Sequence, residues 1–362
     1  MTTVKVFGAG SIGNHLTHAC RTLDWQVTLC DVDGEALRRT REEIHPDRYG
    51  RWDPEIRLTH PDEVAQESFD VVIVGTPPDL HIPIALAQLE QAPPRVLLVE
   101  KPLCPPDLNG CSELQRVAAA QGTTVVVGYN HALTRNTVMA EAWLEKHPIG
   151  ETLTLRSMTR EHWGGIFGAH PWLAGPADSY LGFSARGGGA LGEHSHAIHI
   201  WQHFARRLGR GRVKRVSAML DMVEEGGARY DRIAQLSVAT ELGLVGCIEQ
   251  DVVTQPPRKW LRVQGSEGFL EWEVGSDHDL LRTRQDGADI QELRIDKTRP
   301  DDFLPEVEHI AEILSGGVND SPVSLERGLD TMMVVAAAFK SHEERRCVEI
   351  DWKRGFVPEA LV

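Results

Sequence analysis

Three groups of residues in this sequence could do chemistry, and the first is a glycine-rich loop close to the start of the chain. The loop GAGSIG, residues 8–13, follows the apolar run Val4–Phe7. In this spacing the first glycine allows a tight turn, the second lets backbone N–H groups approach a pyrophosphate, and the third lets a helix pack closely on a strand. The pattern predicts a dinucleotide phosphate site at a helix N-terminus. The expected cofactor-binding residues are Gly8, Gly10, Ser11, Ile12 and Gly13.

An acidic residue follows this loop at the position where an adenosine ribose is usually recognised. Asp31 ends the second apolar run, 18 residues after Gly13. Its carboxylate would accept hydrogen bonds from the ribose and repel a 2′-phosphate, and no arginine is found in the next residues, Val32-Asp33-Gly34. NAD is therefore favoured over NADP. The alternative is a glycine-rich turn with a solvated aspartate.

The second group is Glu100-Lys101-Pro102, which follows the apolar run Val96–Val99. In a doubly wound sheet, this position lies at the carboxyl edge, where ligands bind. A lysine out of bulk water and beside a nicotinamide ring is suited to proton transfer. A surface ion pair between Lys101 and Glu100 would explain the same residues, and the spacing does not decide between these two interpretations.

The third group is the histidine-rich stretch Glu193-His194-Ser195-His196, which continues to His199 and His203. If one helix covers Glu193–Phe204, then Glu193, His196, His199 and His203 lie roughly along one face. Such a face could bind a metal ion or carry acid–base groups. Spacing of i, i+3 suits two-histidine ligation less well than i, i+4, so we expect no metal.

The elements that must position these groups form two regions with different patterns. Short apolar runs alternate with helix-length segments as far as Val127, which predicts a doubly wound parallel sheet. The expected strands are Val4–Phe7, Val27–Cys30, Val71–Val74, Val96–Val99 and Thr124–Val127. The expected helices are Ile12–Thr22, Glu35–Glu43, His81–Gln91 and Pro106–Ala120.

Beyond Val127 the pattern changes to longer strands separated by turn residues such as Glu225-Gly226-Gly227. This pattern predicts an α+β domain with an antiparallel sheet, in which helices return at Glu193–Phe204, Phe303–Leu314 and Leu325–His342. A chain of 362 residues is also long enough for two domains. We expect a nucleotide-binding domain over residues 1–127 and a substrate-binding and oligomerisation domain over residues 128–362. The C-terminal helix is expected to pack back on the first domain.

The order of these motifs resembles the glucose–fructose oxidoreductase / inositol dehydrogenase / MocA family of NAD(P)-dependent oxidoreductases. The resemblance covers almost the whole chain. It rests on residues 8–13 (GAGSIG), 75–78 (GTPP) with His81, 100–102 (EKP), 127–130 (VGYN), 187–191 (GGGAL) and 265–268 (GSEG). It implies a Rossmann domain, then a second domain with a large, mostly antiparallel open sheet that often mediates oligomer formation. It also implies hydride transfer between nicotinamide and a secondary alcohol or ketone, most often on a sugar or cyclitol.

The resemblance also implies roles for particular residues. Lys101 and His196 take catalytic places, with Glu193 about one turn before the histidine and His199 where the family usually has an aspartate. Asn130 is followed by His131-Ala132-Leu133 where members commonly have an arginine and an aromatic residue. These two departures leave the proton relay and the substrate contacts open. Further cofactor-binding positions are Thr76, Pro77, His81, Glu100, Lys101 and Asn130.

A cluster of polar and aromatic residues precedes the histidine stretch and could line a pocket for a polyhydroxylated or acidic substrate. Tryptophan and tyrosine at such spacings are at least as often core residues. The expected substrate-binding residues are Arg160, His162, Trp163 and Arg186, together with Lys101 and His196, and Tyr180 belongs to the same cluster.

The composition of the chain makes some classes of binding partner unfavourable. The chain has 38 Lys and Arg against 53 Asp and Glu, a net charge of −15, which disfavours nucleic acid and membrane surfaces. A strand-like run begins within the first residues and no apolar run reaches membrane length, so we expect a cytoplasmic protein with six reduced cysteines.

Together these features predict an NAD-dependent dehydrogenase or reductase acting on a sugar, aminosugar or cyclitol. We expect it to form a homodimer or homotetramer through the second-domain sheet. Two alternatives stay open. One is a lyase or hydrolase that uses NAD for a transient oxidation, and the other is a nucleotide-sensing protein without turnover.

Overall fold

The computed structural model describes residues 1–168 and 173–362, and its N-terminal part is built on a parallel sheet of six strands. The spatial order is third, second, first, fourth, fifth, sixth, so the predicted doubly wound topology is confirmed. The central strands are apolar and buried, as expected where helices cover both faces. The strands are β1 (Thr3–Phe7), β2 (Gln26–Cys30), β3 (Arg57–Thr59), β4 (Val71–Val74), β5 (Val96–Val99) and β6 (Thr124–Val127).

The helices of this region are α1 (Ser11–Thr22), α2 (Gly34–Arg39), α3 (His45–Tyr49), α4 (His81–Gln91) and α5 (Cys111–Gln121). The helix predicted over Glu35–Glu43 is divided, because α2 ends at Arg39 and a π-helical turn over Thr40–Ile44 leads into α3. The helix predicted from Pro106 begins only at Cys111, after Gly110 in the left-handed region (φ 75°). Strand β3 was not predicted, because three residues are too few to show a period.

A second sheet of nine strands fills most of the rest of the chain. Its strands are β7 (Thr152–Arg160), β8 (Val213–Glu225), β9 (Ala228–Thr240), β10 (Val245–Asp251), β11 (Arg258–Gly265), β12 (Gly268–Val274), β13 (His278–Gln285), β14 (Gln291–Asp296) and β15 (Val348–Glu349). The order is β14-β13-β12-β11-β7-β10-β9-β8-β15, and all neighbours are antiparallel except β7 and β10. The expected mostly antiparallel open sheet is therefore confirmed.

The remaining helices are α6 (Arg135–Lys146), α7 (Gly164–Gly168), α8 (Gly189–Glu193), α9 (His196–Arg207), α10 (Leu304–Leu314) and α11 (Leu325–Glu344). Helices α6, α9 and α11 pack on the second sheet, while α10 packs on α1 and α11 also contacts β6. The backbone N–H of Val127 donates to the carbonyl of Val323 (2.8 Å), so the C-terminal region contacts the first sheet. The division of the chain at residue 127 stays a prediction.

The single helix predicted over Glu193–Phe204 is wrong. Glu193 ends α8 and His196 begins α9, with a break at His194 and Ser195. Glu193 therefore does not share a helix face with the three histidines, whereas His196, His199 and His203 all lie on α9.

Helix α6 and strand β13 were not predicted. In β13 the inward-facing residues include Asp279 and Thr283, so the apolar alternation that would indicate a strand is missing. Within the described residues, no helix is both long and apolar enough to cross a membrane.

Candidate active site

The glycine-rich loop between β1 and α1 has the shape that a dinucleotide needs. Gly8 has a φ of 100°, and a Cβ there would lie 2.6 Å from the carbonyl oxygen of Gly75. A Cβ on Gly13 would lie 1.9 Å from the carbonyl oxygen of Gly8, whereas a Cβ on Gly10 would meet nothing within 4 Å. The loop is thus closed towards the sheet and open at Gly10, and α1 has no side-chain cap on its first turn. These features fit a pyrophosphate at the helix N-terminus.

Asp31, at the end of β2, lies directly against this loop. Its Oδ2 accepts a hydrogen bond from the backbone N–H of Ala9 (2.7 Å), and its Oδ1 accepts one from the N–H of Asp33 (2.8 Å). The carboxylate therefore fixes the loop itself. Its role as the ribose ligand stays a prediction, since each carboxylate oxygen can accept a further bond.

His81 joins the two loops that follow β4 and β5. Its Nε2 lies 2.7 Å from the carbonyl oxygen of Thr76, and its Nδ1 lies 3.0 Å from that of Pro102. Burial lowers the pKa of His81 to about 4. His81 therefore lies between the Thr76-Pro77 turn and the Lys101-Pro102 turn, and because its neutral ring has one N–H it donates to one of the two carbonyl oxygens and packs against the other.

Lys101 reaches from the first domain into the second. Its Nζ donates to the backbone carbonyl of Glu193 (2.9 Å) and lies 3.2 Å from the Oε2 of the same residue. The two side chains are only 12% and 18% exposed. The hydroxyl of Tyr180 donates to the same carboxylate oxygen (3.3 Å). Lys101 therefore pairs with Glu193 and not with Glu100 on the surface, which removes one of the two interpretations of the EKP motif.

Glu100 is buried behind Lys101. Its carboxylate accepts a hydrogen bond from the Lys101 N–H (3.2 Å), and a Cβ on Gly128 would lie 2.6 Å from its Oε1. Burial raises the pKa of Glu100 to about 7, with nearby Lys101 opposing and Glu193 reinforcing the shift. The packing accounts for a glycine at position 128.

His196 lies beside this lysine as a neutral, stacked imidazole. Its ring stacks on that of His131 at 4.1 Å and meets the ring of Tyr129 edge-on at 5.7 Å. Burial lowers the pKa of His196 well below its ordinary value, and the charges of His131 and Lys101 lower it further. Burial lowers the pKa of His131 in the same way. A neutral imidazole can accept a proton or a hydrogen bond.

Two groups near these histidines were not singled out from the sequence. His194 is buried, its Nε2 has no hydrogen-bond partner among the residues that the structure describes, and burial lowers its pKa to about 4. Lys259 and Glu161 form an ion pair (3.0 Å) whose charges act on His194. No motif marks this pair, because β7 and β11 bring it together from distant parts of the chain.

The triple-glycine turn joins the histidine region to the first domain. A Cβ on Gly187 would lie 2.7 Å from Pro78 and 3.3 Å from Pro102, so the backbone packs directly on both loops. Gly189 has a φ of 75°, and its Cβ would lie 1.9 Å from Oδ1 of the buried Asp231. That carboxylate accepts bonds from the Ser184 hydroxyl (2.7 Å) and the Leu191 N–H (2.7 Å), and burial raises its pKa to about 7.

The other candidate residues have partners within the chain. Arg160 pairs with Asp251 (2.6 Å), and Arg186 pairs with Asp79 (2.8 Å) across the two domains. His162 Nδ1 accepts from the N–H of Gly164 (2.8 Å), and Trp163 is buried in a small aromatic cluster with Phe167 and Tyr230. Their roles in substrate binding stay predictions.

Asn130 and His199 also contact other residues of the chain. The Asn130 side chain donates to the carbonyl of Asp302 (2.9 Å), while its Oδ1 is buried without a partner. His199 is buried with its ring stacked on that of Tyr129 (4.3 Å). His203 lies 2.5 Å from Glu141. In the ranges 1–168 and 173–362, no group of three or more His, Cys, Asp or Glu side chains is placed to hold a metal ion.

One known protein family matches the N-terminal third of this chain. Residues 2–129 match the family model GFO_IDH_MocA, described as an oxidoreductase family with an NAD-binding Rossmann fold. A comparison with curated proteins found no match. The family match confirms the prediction of NAD as cofactor and covers the glycine-rich loop, Asp31 and Lys101.

Solved structures show the same fold over nearly the whole chain. An oxidoreductase domain protein from Kribbella flavida has a TM-score of 0.77 at 21% identity, covering 96% of this chain and 99% of its own. An NAD-binding oxidoreductase from Klebsiella pneumoniae has a TM-score of 0.74 at 20% identity, covering 96% and 98%. Levoglucosan dehydrogenase in complex with NADH and levoglucosan has a TM-score of 0.75 at 18% identity, covering 96% and 98%. At these identities the likeness extends to the fold alone.

Proposed function

We propose that this chain, a member of the Gfo/Idh/MocA oxidoreductase family with an NAD-binding Rossmann fold, interconverts a secondary alcohol and a ketone on a sugar, aminosugar or cyclitol. The contact between Lys101 and Glu193 carries the proposal, because it places an ammonium group at the carboxyl edge of the nucleotide-binding sheet (Nζ to Oε2, 3.2 Å). When bound, NAD supplies the hydride acceptor or donor. The structural relative that binds levoglucosan supports a sugar-like substrate.

The cofactor would be held by the elements described above. The backbone of the loop from Gly8 to Gly13 would bind the pyrophosphate, and Asp31 would accept hydrogen bonds from the ribose. The turns at Thr76 and Lys101, tied together by His81, form the wall at the edge of the sheet.

Lys101 and His196 would handle the hydroxyl proton of the substrate. Oxidation of an alcohol releases a proton, and a neutral His196 can accept it or orient the hydroxyl through a hydrogen bond. The Lys101 ammonium can donate a hydrogen bond to the same oxygen and stabilise its developing negative charge. Glu193 keeps Lys101 in place through the 2.9 Å bond to its carbonyl and the ion pair. In the reductive direction the same step runs backwards, so protonated His196 returns the proton to the oxygen while the Lys101 ammonium stabilises the negative charge.

The test is a substrate screen followed by two substitutions. Purified protein with NAD is mixed with sugars, cyclitols and sugar nucleotides, and NADH formation is followed by absorbance. Lys101→Ala and His196→Ala should each lower kcat by about 10²–10⁴-fold, while the Kd for NADH changes little. Lys214→Ala removes a lysine that pairs with Glu349 on another part of the surface, and it should leave kcat unchanged.

Three outcomes would contradict the proposal. Near-full turnover in both variants would exclude Lys101 and His196 from the chemistry. Loss of activity with a chelator and its return with a divalent ion would require a metal mechanism. Conversion of a substrate without net NADH formation would indicate transient oxidation by a lyase or hydrolase.

A further inference from the structure

Arg48 lies beside the phosphate loop although it belongs to a different element. It is on α3, and its Nη1 donates to the Oγ of Ser11, the first residue of α1, at 3.1 Å. The same nitrogen lies 3.4 Å from the Nε2 of His15, one turn further along α1. The guanidinium therefore sits at the helix terminus where the first-turn N–H groups are unpaired.

His15 holds this guanidinium in a defined position. Because arginine can only donate, the His15 Nε2 must be the acceptor, and its Nδ1 then donates to the Tyr49 hydroxyl (2.7 Å). Burial lowers the pKa of His15 to about 3, and the charges of Arg48 and Arg299 lower it further. Its ring also stacks on Phe303 at 4.5 Å. The support for Arg48 is thus a neutral, packed side chain.

The charge of Arg48 is not neutralised by the protein. In the part of the chain that the structure describes, no carboxylate lies within 4.0 Å of its nitrogens. By contrast, Arg38 and Arg41 on the preceding segment pair with acidic side chains at 2.6 Å and 3.0 Å. Arg48 is half-buried, and an anion at the α1 terminus would meet both the helix N–H groups and this cation.

We propose that Arg48 binds the pyrophosphate of NAD, as a side-chain ligand that adds to the backbone loop from Gly8 to Gly13. Ser11 and His15 aim the guanidinium, whose five N–H donors are more than its contacts with Ser11, His15 and Tyr49 use. The proposal rests on NAD binding and does not depend on the substrate or on the reaction proposed above.

The test is a titration of NADH binding by fluorescence in Arg48→Gln, Arg48→Lys and Arg41→Gln. A hydrogen-bonded arginine–phosphate contact predicts a Kd about 10- to 100-fold higher in Arg48→Gln. Arg48→Lys, which keeps the charge without the forked geometry, should lose less. Arg41→Gln removes an arginine of the neighbouring turn and should bind NADH as the wild type does.

Two further measurements identify the group that Arg48 contacts. ADP-ribose has the pyrophosphate but no nicotinamide, so Arg48→Gln should weaken it by a similar factor. The dependence of log Kd on log salt should also become less steep in Arg48→Gln, because one phosphate contact is lost. Thermal unfolding of the ligand-free variants checks that they are folded. If Arg48→Gln does not fold, the NADH and ADP-ribose affinities of Arg48→Lys are compared with those of the wild type.

Wild-type affinity for NADH and ADP-ribose in a folded Arg48→Gln would overturn the proposal. So would a loss confined to NADPH, since it would place Arg48 at the 2′-phosphate. A defect in turnover with unchanged NADH binding would count against this proposal and leave the dehydrogenase activity to be judged on its own substitutions.

Discussion

At the scale of single residues, four histidines at the candidate site are buried and neutral. Burial lowers the pKa of His81 and His194 to about 4 and that of His199 to about 3, and it lowers that of His196 well below the ordinary value. The side chains of His81, His196 and His199 each contact a loop or a ring of the candidate site. The site therefore offers neutral imidazoles next to the lysine–glutamate pairs Lys101–Glu193 and Lys259–Glu161.

The burial of His199 makes stability depend on pH. The unfolded chain takes up a proton on this histidine near pH 6.5, whereas the folded chain does so only near pH 3. As the pH falls through this window, the wild type loses stability that His199→Phe keeps, because phenylalanine can stack on Tyr129 without titrating. Between pH 8 and pH 5, the free energy of unfolding of the variant, relative to that of the wild type, should rise by about 2 kcal/mol.

Urea denaturation at the two pH values measures this difference. A difference that is the same at pH 8 and pH 5 would show that His199 titrates in the folded protein as it does in the unfolded chain. If His199→Phe also lowers kcat with NADH binding intact, His199 has the catalytic role that the family resemblance implies.

Asp31 supports the phosphate loop, and its predicted second role as the ribose ligand can be tested by measuring two affinities in one variant. Asp31→Ser removes the carboxylate that would bind the ribose and repel a 2′-phosphate, and it also removes the bond to the Ala9 N–H (2.7 Å). We expect weaker NAD binding together with a smaller preference for NAD over NADP. Titration with NADH and NADPH gives both quantities. A variant with lower affinity but an unchanged ratio would mean that Asp31 supports the loop without contacting the ribose.

At the scale of elements, the sequence predicts the parallel sheet well and the histidine region poorly. Strands such as Val71–Val74 are apolar at every position, and this pattern is local and easily recognised. The break between α8 and α9 is not local, because residues 193–204 carry a helical pattern throughout. The break lies next to the bond from the Leu191 N–H to Asp231 of β9 and the bond from Lys101 to Glu193, and both are tertiary contacts that the local sequence does not show.

The triple-glycine turn gives a test at this scale. Gly189→Ala places a Cβ at 1.9 Å from the Asp231 carboxylate in a residue with φ 75°, whereas Gly122→Ala has a similar φ of 68° and open space around it. Left-handed backbone costs an alanine about 1–2 kcal/mol, which both variants share. Gly189→Ala must also displace Asp231, so we expect it to lose at least about 3 kcal/mol. Equal thermal unfolding temperatures for the two variants would show that Asp231 does not fix the turn.

At the scale of the whole molecule, the candidate site exists only because distant segments meet. Lys101 and Glu193 are 92 positions apart in the sequence, and the Lys259–Glu161 pair joins β11 to the end of β7. The EKP motif and the histidine stretch could each be found in the sequence. Their pairing could not, since no local pattern records which carboxylate an ammonium will reach across two domains.

The second sheet has one face covered by α6, α9 and α11 and another that carries exposed apolar side chains. On β8 to β10, Met219 is 72% exposed and Val245 57% exposed. An open groove of about 440 Å³ runs along these strands, lined in part by Met219, Gln235 and Cys247. Apolar area of this kind marks association surfaces, and a symmetric dimer would bury the same strands from both copies. We therefore keep the prediction of a dimer or tetramer formed through this face.

Met219→Glu tests that prediction, because it places a charge at the centre of the expected contact, where two copies would bring like charges together. Light scattering coupled to size exclusion should give a dimer or tetramer for the wild type and a smaller species for the variant at the same micromolar concentration. Leu242→Glu is the matched control, since Leu242 is similarly exposed (67%) but lies in the turn between β9 and β10. A wild-type monomer, or an oligomer that Met219→Glu leaves intact, would exclude this face as the interface.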